Sequence, residues 1–148
     1  MLEELKRRRR ALHQIPELCY DLPKTRAFLR SELEPLGAKI EEVAQSGLLV
    51  YFDAGKAETA AFRSDMDALP VEEKSGASFA STHPGRMHAC GHDGHMAMLL
   101  ALADYLKEHA PDLSRNALLI FQPAEESGGG GGEVVKSGAL ARYRVTRA

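Results

Sequence analysis

The sequence predicts an α/β fold, and three features predict it. Residues 116–122, NALLIFQ, are an almost unbroken apolar run, the pattern of a strand covered on both faces. Residues 94–109 place Met96, Leu99, Leu100, Ala103 and Leu106 on one side of a helix. Helix-like and strand-like segments alternate along the chain instead of grouping by type.

Taken in order, Leu2–Ile15 and Lys24–Leu36 carry apolar residues at helical spacing, separated by the turn-like IPELCYDLP. Gly37 follows where a helix-ending glycine belongs. GLLVYFD (47–53) and TAAFRSD (59–65) read as strands, and the AGKAE between them suits a hairpin. Leu69–Arg86 is polar, with Ser, Gly and Pro throughout, and reads as a long loop of the kind that often carries function. Beyond the apolar run come PAEESGGGGGE and then Glu133–Leu140, which suits a short helix. No repeat of solenoid length is present.

At 148 residues the chain has the length of one domain and can bury a core. Its 44% hydrophobic and 27% charged residues are ordinary for a globular protein. A net charge of −2 gives no reason to expect nucleic acid or an anionic membrane as partner. The one basic run, KRRRR at 6–10, shares its stretch with Leu2, Leu5 and Leu12 and reads as a solvated helix face. No run approaches the roughly 20 apolar residues of a membrane span. The opening MLEELKRRRR has no apolar signal core, and two cysteines do not suggest a disulfide framework. A cytoplasmic protein is the expectation.

MHACGHDGH, residues 87–95, crowds a thiol, three imidazoles and a carboxylate ahead of an apolar helix. RSDMDALP follows one strand and PAEES follows another. Ligands of open α/β sheets bind beyond the carboxyl ends of strands and near helix N-termini, so these three clusters are expected to meet at one sheet edge. The donors are a soft thiolate (Cys90), an imidazole (His92) and hard carboxylates (Asp65, Asp67, Glu125, Glu126). Such a mixture suits Zn²⁺, or Mn²⁺ where carboxylates dominate. Gly91 permits backbone angles that let Cys90 and His92 face one ion. Glu125 and Glu126, as neighbours, leave the chain in different directions, so one can hold metal while the other reaches a water. That division serves metal-assisted hydrolysis.

Blander readings exist for each cluster. Cys-X-His alone is weak, Asp-X-Asp after a strand serves equally as a turn or cap, and Glu-Glu before glycines is commonly solvated. A cysteine nucleophile with a histidine base is a rival chemistry that leaves four carboxylates unemployed. The glycine run lacks the Gly-Lys-Ser of a phosphate loop, and that idea falls.

HQIPEL, RSDMDALP, MHACGHDGH and FQPAEE…GGG followed by SGAL resemble, in order and spacing, the N-terminal half of the catalytic domain of the dinuclear metal-dependent amidohydrolases. The branch includes hippurate hydrolase, N-acyl-L-amino-acid amidohydrolases, N-acetyldiaminopimelate deacetylase and plant auxin-conjugate hydrolases. It is grouped with aminoacylase and glutamate carboxypeptidase in one metallopeptidase family. The resemblance implies a zinc-exopeptidase-like catalytic domain, a mixed sheet flanked by helices, and hydrolysis of the amide of N-acyl amino acids such as hippurate. It implies that Cys90, His92 and Glu126 are metal ligands, with the Cys90 thiolate between two ions. Glu125 becomes the base that activates water and passes its proton to the leaving amine. Asp67 becomes the acid that orients a ligand from behind. Asp65 occupies the place of a ligand histidine in related peptidases, and its role stays open. His88 is expected to contact ligands or substrate, His95 to pack near the helix start, and Cys19 to be a packed thiol.

Members of that family continue through a Gly-Leu-His motif, a lid or dimerisation domain and a final histidine. No histidine follows His109 here. The expectation is therefore that residues 1–148 are a partial, truncated amidohydrolase catalytic domain without the lid. The family holds two divalent ions, Zn or Mn, and this chain is expected to bind one or none. A second reading is a non-catalytic metal-binding remnant that self-associates through exposed surfaces into a homo-oligomer.

Overall fold

A computed structural model describes residues 2–148. The elements are α1 (Leu2–His13), α2 (Pro23–Leu33), β1 (Lys39–Val43), β2 (Gly47–Phe52), β3 (Thr59–Asp65), α3 (His92–His109), β4 (Asn116–Gln122), α4 (Gly130–Lys136), α5 (Ala139–Arg142) and β5 (Val145–Arg147). Two of the expected helices end earlier or break. The first stops at His13 instead of Ile15. The second gives way after Leu33 to a 3₁₀ turn, Glu34–Leu36, closed by Gly37 in the left-handed conformation. The segment expected as one helix over 133–140 is α4 and α5, divided at Gly138 with φ +73°.

The strands form one mixed sheet in the order β1-β2-β4-β3-β5. β1 and β2 run antiparallel, as do β2 and β4, whereas β3 lies parallel to both β4 and β5. Every residue of β4 is buried, and its side chains alternate between two cores. Ala117, Leu119 and Phe121 pack against α1, α2 and α3 through Leu12, Leu29, Met96 and Leu100. Leu118 and Ile120 pack on the other face against Val134, Ala139 and Tyr143 of the α4–α5 side. Burial on both faces is why the run is apolar throughout.

The expected hairpin between β2 and β3 does not form, because β4 inserts between them. Both β2 and β3 pair with the fully buried β4, the first antiparallel and the second parallel. The AGKAE segment instead crosses the end of β4, held by Asn116. Its side-chain oxygen accepts from the N–H groups of Ala54 (2.9 Å) and Lys56 (3.0 Å), and its amide donates to the Lys56 carbonyl at 2.7 Å. The actual hairpin joins β1 to β2. Its turn uses Ala44 and Gln45 at positive φ, without the glycine or asparagine that usually marks such a turn. β1 went unread because KIEEV carries charges suited to a sheet edge, and β5 because it has only three residues.

The basic run is only partly a solvated face. Lys6, Arg7 and Arg10 are exposed, but Arg8 is 6% exposed and bridges Glu32 of α2 and Asp104 of α3. Arg9 reaches the buried Asp93 at 2.7 Å. An amphipathic pattern cannot show this, since a long cationic side chain can bury its stem and still carry its charge to an inner carboxylate. Among the described residues no helix is long and apolar enough to cross a membrane.

Candidate metal centre

Parallel pairing sets Asp65, the last residue of β3, opposite Gln122, the last of β4. The chain segments that follow, Met66–Ala68 and Pro123–Glu126, therefore leave the sheet side by side. Helix α3 starts against the same edge. Its N-cap, Gly91, has φ +84°, which turns the chain sharply between Cys90 and His92.

Asp67 ties these three pieces together. It is 1% exposed, and its two carboxylate oxygens accept the N–H groups of Glu125 (2.9 Å) and Glu126 (3.2 Å). Its backbone carbonyl takes the other part, accepting from His92 Nδ1 at 2.7 Å. A carbonyl only accepts, so Nδ1 is the protonated nitrogen and Nε2 is turned toward the cluster. The residue before the glutamates, Ala124, is held at φ +52°, a conformation a non-glycine residue keeps only when its surroundings enforce it. Enforcement comes from Cys19 and Tyr20. Ala124 N–H donates to the Cys19 carbonyl at 3.1 Å, and the Tyr20 hydroxyl donates to the Gly128 carbonyl at 2.8 Å. Cys19 is thus half-buried beside the glycine loop, its sulfur 3.6 Å from the Ser127 carbonyl.

His92 Nε2 faces three carboxylates: Asp65 Oδ2 at 3.4 Å, Glu126 Oε1 at 3.7 Å and Glu125 Oε2 at 3.9 Å. Two groups of three donors whose atoms all lie within 4.8 Å of one another occur among the described residues. They are Asp65, His92 and His95, and His92, Glu125 and Glu126. Ligand bonds of about 2.0–2.2 Å in tetrahedral geometry put donor atoms roughly 3.3–3.6 Å apart, close to the spacing seen around Nε2. The donor set therefore fits a small divalent cation, with nitrogen and oxygen ligands and a histidine oriented by a backbone carbonyl.

Of the residues singled out in the sequence, His92, Glu125, Glu126 and Asp67 are brought together. Cys90 is exposed and belongs to neither group of three. Its thiol lies beside the cluster, however. The Glu126 carboxylate, accepting from the thiol, pushes Cys90 above its ordinary value, and local desolvation with nearby Glu125 and Asp65 adds to the effect. Asp65 and His95 are a pair the sequence reading left apart, joined by a 2.7 Å contact from His95 Nδ1 to Asp65 Oδ1. Burial works against ionisation of Asp65, but the hydrogen bond from His95 and the nearby His92 and Arg63 outweigh it and hold the carboxyl below its usual range. A spacing of 30 residues hides that pair; the only clue is that His92 and His95 sit one helical turn apart. His88 is 2% exposed, walled off from any substrate in solvent, and burial lowers its imidazole to about 4.

The fold and the cluster define a candidate metal site at the edge of a mixed sheet. Residues 61–148 match peptidase family M20/M25/M40, and the chain belongs to that family. It is 44% identical over 133 residues to an IAA-amino acid hydrolase of Arabidopsis thaliana, covering 89% of this chain and 31% of that protein. It is 44% identical over 135 residues to the N-acetyldiaminopimelate deacetylase of Leuconostoc citreum, covering 87% of this chain and 34% of the relative. Among solved structures, a dinuclear metal-binding peptidase of the M20 family from Bacillus subtilis superposes with TM-score 0.89 at 35% identity, over 93% of this chain and 40% of that one. The mixed sheet flanked by helices is thus the M20 catalytic-domain fold. The chain spans about a third of the length of the curated relatives it matches.

Proposed function

We propose that this protein serves metal-dependent hydrolysis of the amide bond in N-acyl amino acids, residues 1–148 forming part of the catalytic domain. The observation that carries the proposal is the group of three carboxylates facing His92 Nε2, the ring nitrogen left as an acceptor, which a divalent cation would satisfy. The similarity to hydrolases whose names specify amide-linked amino-acid substrates supports the substrate class.

In this reading His92 and Glu126 would hold the ion, Cys90 would join them from its place beside Glu126, and Asp65, whose Oδ2 lies 3.4 Å from His92 Nε2, would be a further oxygen donor. A bound Zn²⁺ or Mn²⁺ would acidify water and polarise the scissile carbonyl. Glu125 is the general base. Its side chain is 40% exposed, so it meets incoming substrate, while its backbone is fixed through Asp67. It takes the proton from the attacking water and returns it to the leaving amine. Asp67 touches neither water nor substrate; it aims His92 through its carbonyl and both glutamates through its carboxylate. Cys19 and Cys90 are free thiols, which suits the reducing cytoplasm as the place of action.

The test is hydrolysis of hippurate and N-acetyl amino acids with added Mn²⁺ or Zn²⁺, comparing wild type with Glu125→Gln. Turnover is expected to vanish in the variant while its metal content persists. Equal loss of turnover and metal would show that the base is misassigned. Tight metal binding by wild type with no turnover would favour the non-catalytic remnant.

A further inference from the structure

The groups behind the metal centre form a second, buried polar cluster that the proposed mechanism does not use. Asp93 directly follows His92 and is fully buried. Its Oδ2 meets His13 Nδ1 at 2.8 Å and Arg9 Nε at 2.7 Å, both from α1. The other ring nitrogen of His13, Nε2, faces Glu73 Oε1 at 3.2 Å. Glu73 belongs to the long loop after β3 and in turn organises it, accepting from the Ser81 N–H at 2.6 Å and from the Ser75 hydroxyl. A single imidazole, 3% exposed, therefore bridges the first turn of α3 and the loop over residues 69–86.

Geometry links this bridge to His92. Consecutive helical residues point roughly 100° apart, so with Asp93 held against α1, His92 must point toward the strand ends. No side chain caps the start of α3, whose N-cap is Gly91. Three side-chain holds fix that first turn: His92 on the Asp67 carbonyl and His95 on Asp65 on the strand side, and Asp93 on His13 and Arg9 on the α1 side. Replacing a whole buried ion-pair group by apolar residues of similar volume is often neutral or stabilising, so stability alone does not account for this group beside a candidate ligand.

We propose that His13 is a positioning residue for the metal centre: by bridging Asp93 and Glu73 it fixes the roll of α3 and with it the direction of His92 Nε2. The inference deepens the proposed function and rests on His92 being a ligand there.

The experiment reads His92 without metal first. Protein labelled with ¹⁵N at histidine is compared with His13→Gln, Asp93→Asn and the double variant, and His92→Gln assigns the signal. In wild type the His92 Nδ1 proton, held by the Asp67 carbonyl, is expected to exchange slowly. Exchange is expected to accelerate about tenfold or more in either single variant and no further in the double, because both act through one contact. Titration of the same proteins with Co²⁺ is expected to show affinity about 10-fold weaker in the single variants, again without a further loss in the double. A His13→Gln protein that melts earlier but keeps wild-type His92 exchange would overturn the inference, as would single effects that multiply. If wild type fails to bind Co²⁺ while His13→Gln still frees the His92 proton, the positioning stands and the metal reading falls. Should His13→Gln not fold, Glu73→Ala, which removes the acceptor facing Nε2, releases the same imidazole from the loop side and is read in the same way.

Discussion

Asp67→Asn probes the site at its most connected residue. The wild-type carboxylate accepts two backbone N–H groups, from Glu125 at 2.9 Å and Glu126 at 3.2 Å, within a side chain that is fully buried. Hydrogen bonds to a charged acceptor contribute about 1.5–3 kcal/mol each. Asparagine keeps one oxygen but presents an NH₂ group to the other N–H, donor against donor. One bond is lost, the other is weakened, and a buried N–H is left unmatched at a cost of about 1–3 kcal/mol. The lost negative charge relieves repulsion with the Glu125 and Glu126 side chains and offsets part of this. A net loss of about 2 kcal/mol follows for the metal-free protein. Urea unfolding at neutral pH, extrapolated linearly and checked for an unchanged slope, measures it. A variant equal to wild type within about 0.5 kcal/mol, or more stable, would refute the claim that Asp67 holds the glutamates through their backbone.

Other outcomes follow from contacts elsewhere. A Cβ at Gly130 would lie 1.9 Å from the Pro123 carbonyl oxygen, so Gly130→Ala should cost about 3 kcal/mol or more, whereas Gly132→Ala, with nothing within 4 Å, should be neutral or stabilising in α4. Equal melting temperatures for the two would contradict the close approach. Burial opposes ionisation of Glu73, yet hydrogen bonds from Ser75, the Ser81 N–H and His13 prevail and bring its carboxyl from 4.5 down to about 2. The unfolded chain then takes up this proton first as pH falls, so the stabilisation is complete above about 4.5 and is lost toward about 2. The stability gap between wild type and Glu73→Gln should narrow over that interval in acid titrations monitored by circular dichroism; a gap that stays constant or widens would refute it.

Much of the local structure was legible because it is governed by local rules. The span of β4 could be read to the residue, since a strand buried on both faces has no choice but to be apolar. Helix α3 was legible from its 3.6-residue pattern, although it begins at His92, two residues earlier than the apolar face suggests. The ligand-type clusters stood out by composition. What misled was the connection between β2 and β3, where a short polar link suggested a hairpin and the sheet placed β4 between them. Asn116, whose side chain holds that link, looks like any strand-initiating polar residue until its three partners are seen.

By itself, then, the sequence determined most of the helix and strand segments, though not β1, β5 or the break between α4 and α5. It also determined which donor atoms are on hand and that Gly91 can turn sharply between two of them. These depend on periodicity, side-chain chemistry and backbone freedom, all properties of neighbours along the chain. Only the tertiary structure decided that Asp65 pairs with His95, that Asp67 works through its carbonyl as well as its carboxylate, and that Cys90 stands beside the cluster rather than within a group of three. Those outcomes depend on strand order and register, which are chosen by burying two cores at once across separations of 30 to 60 residues. No local pattern carries that information.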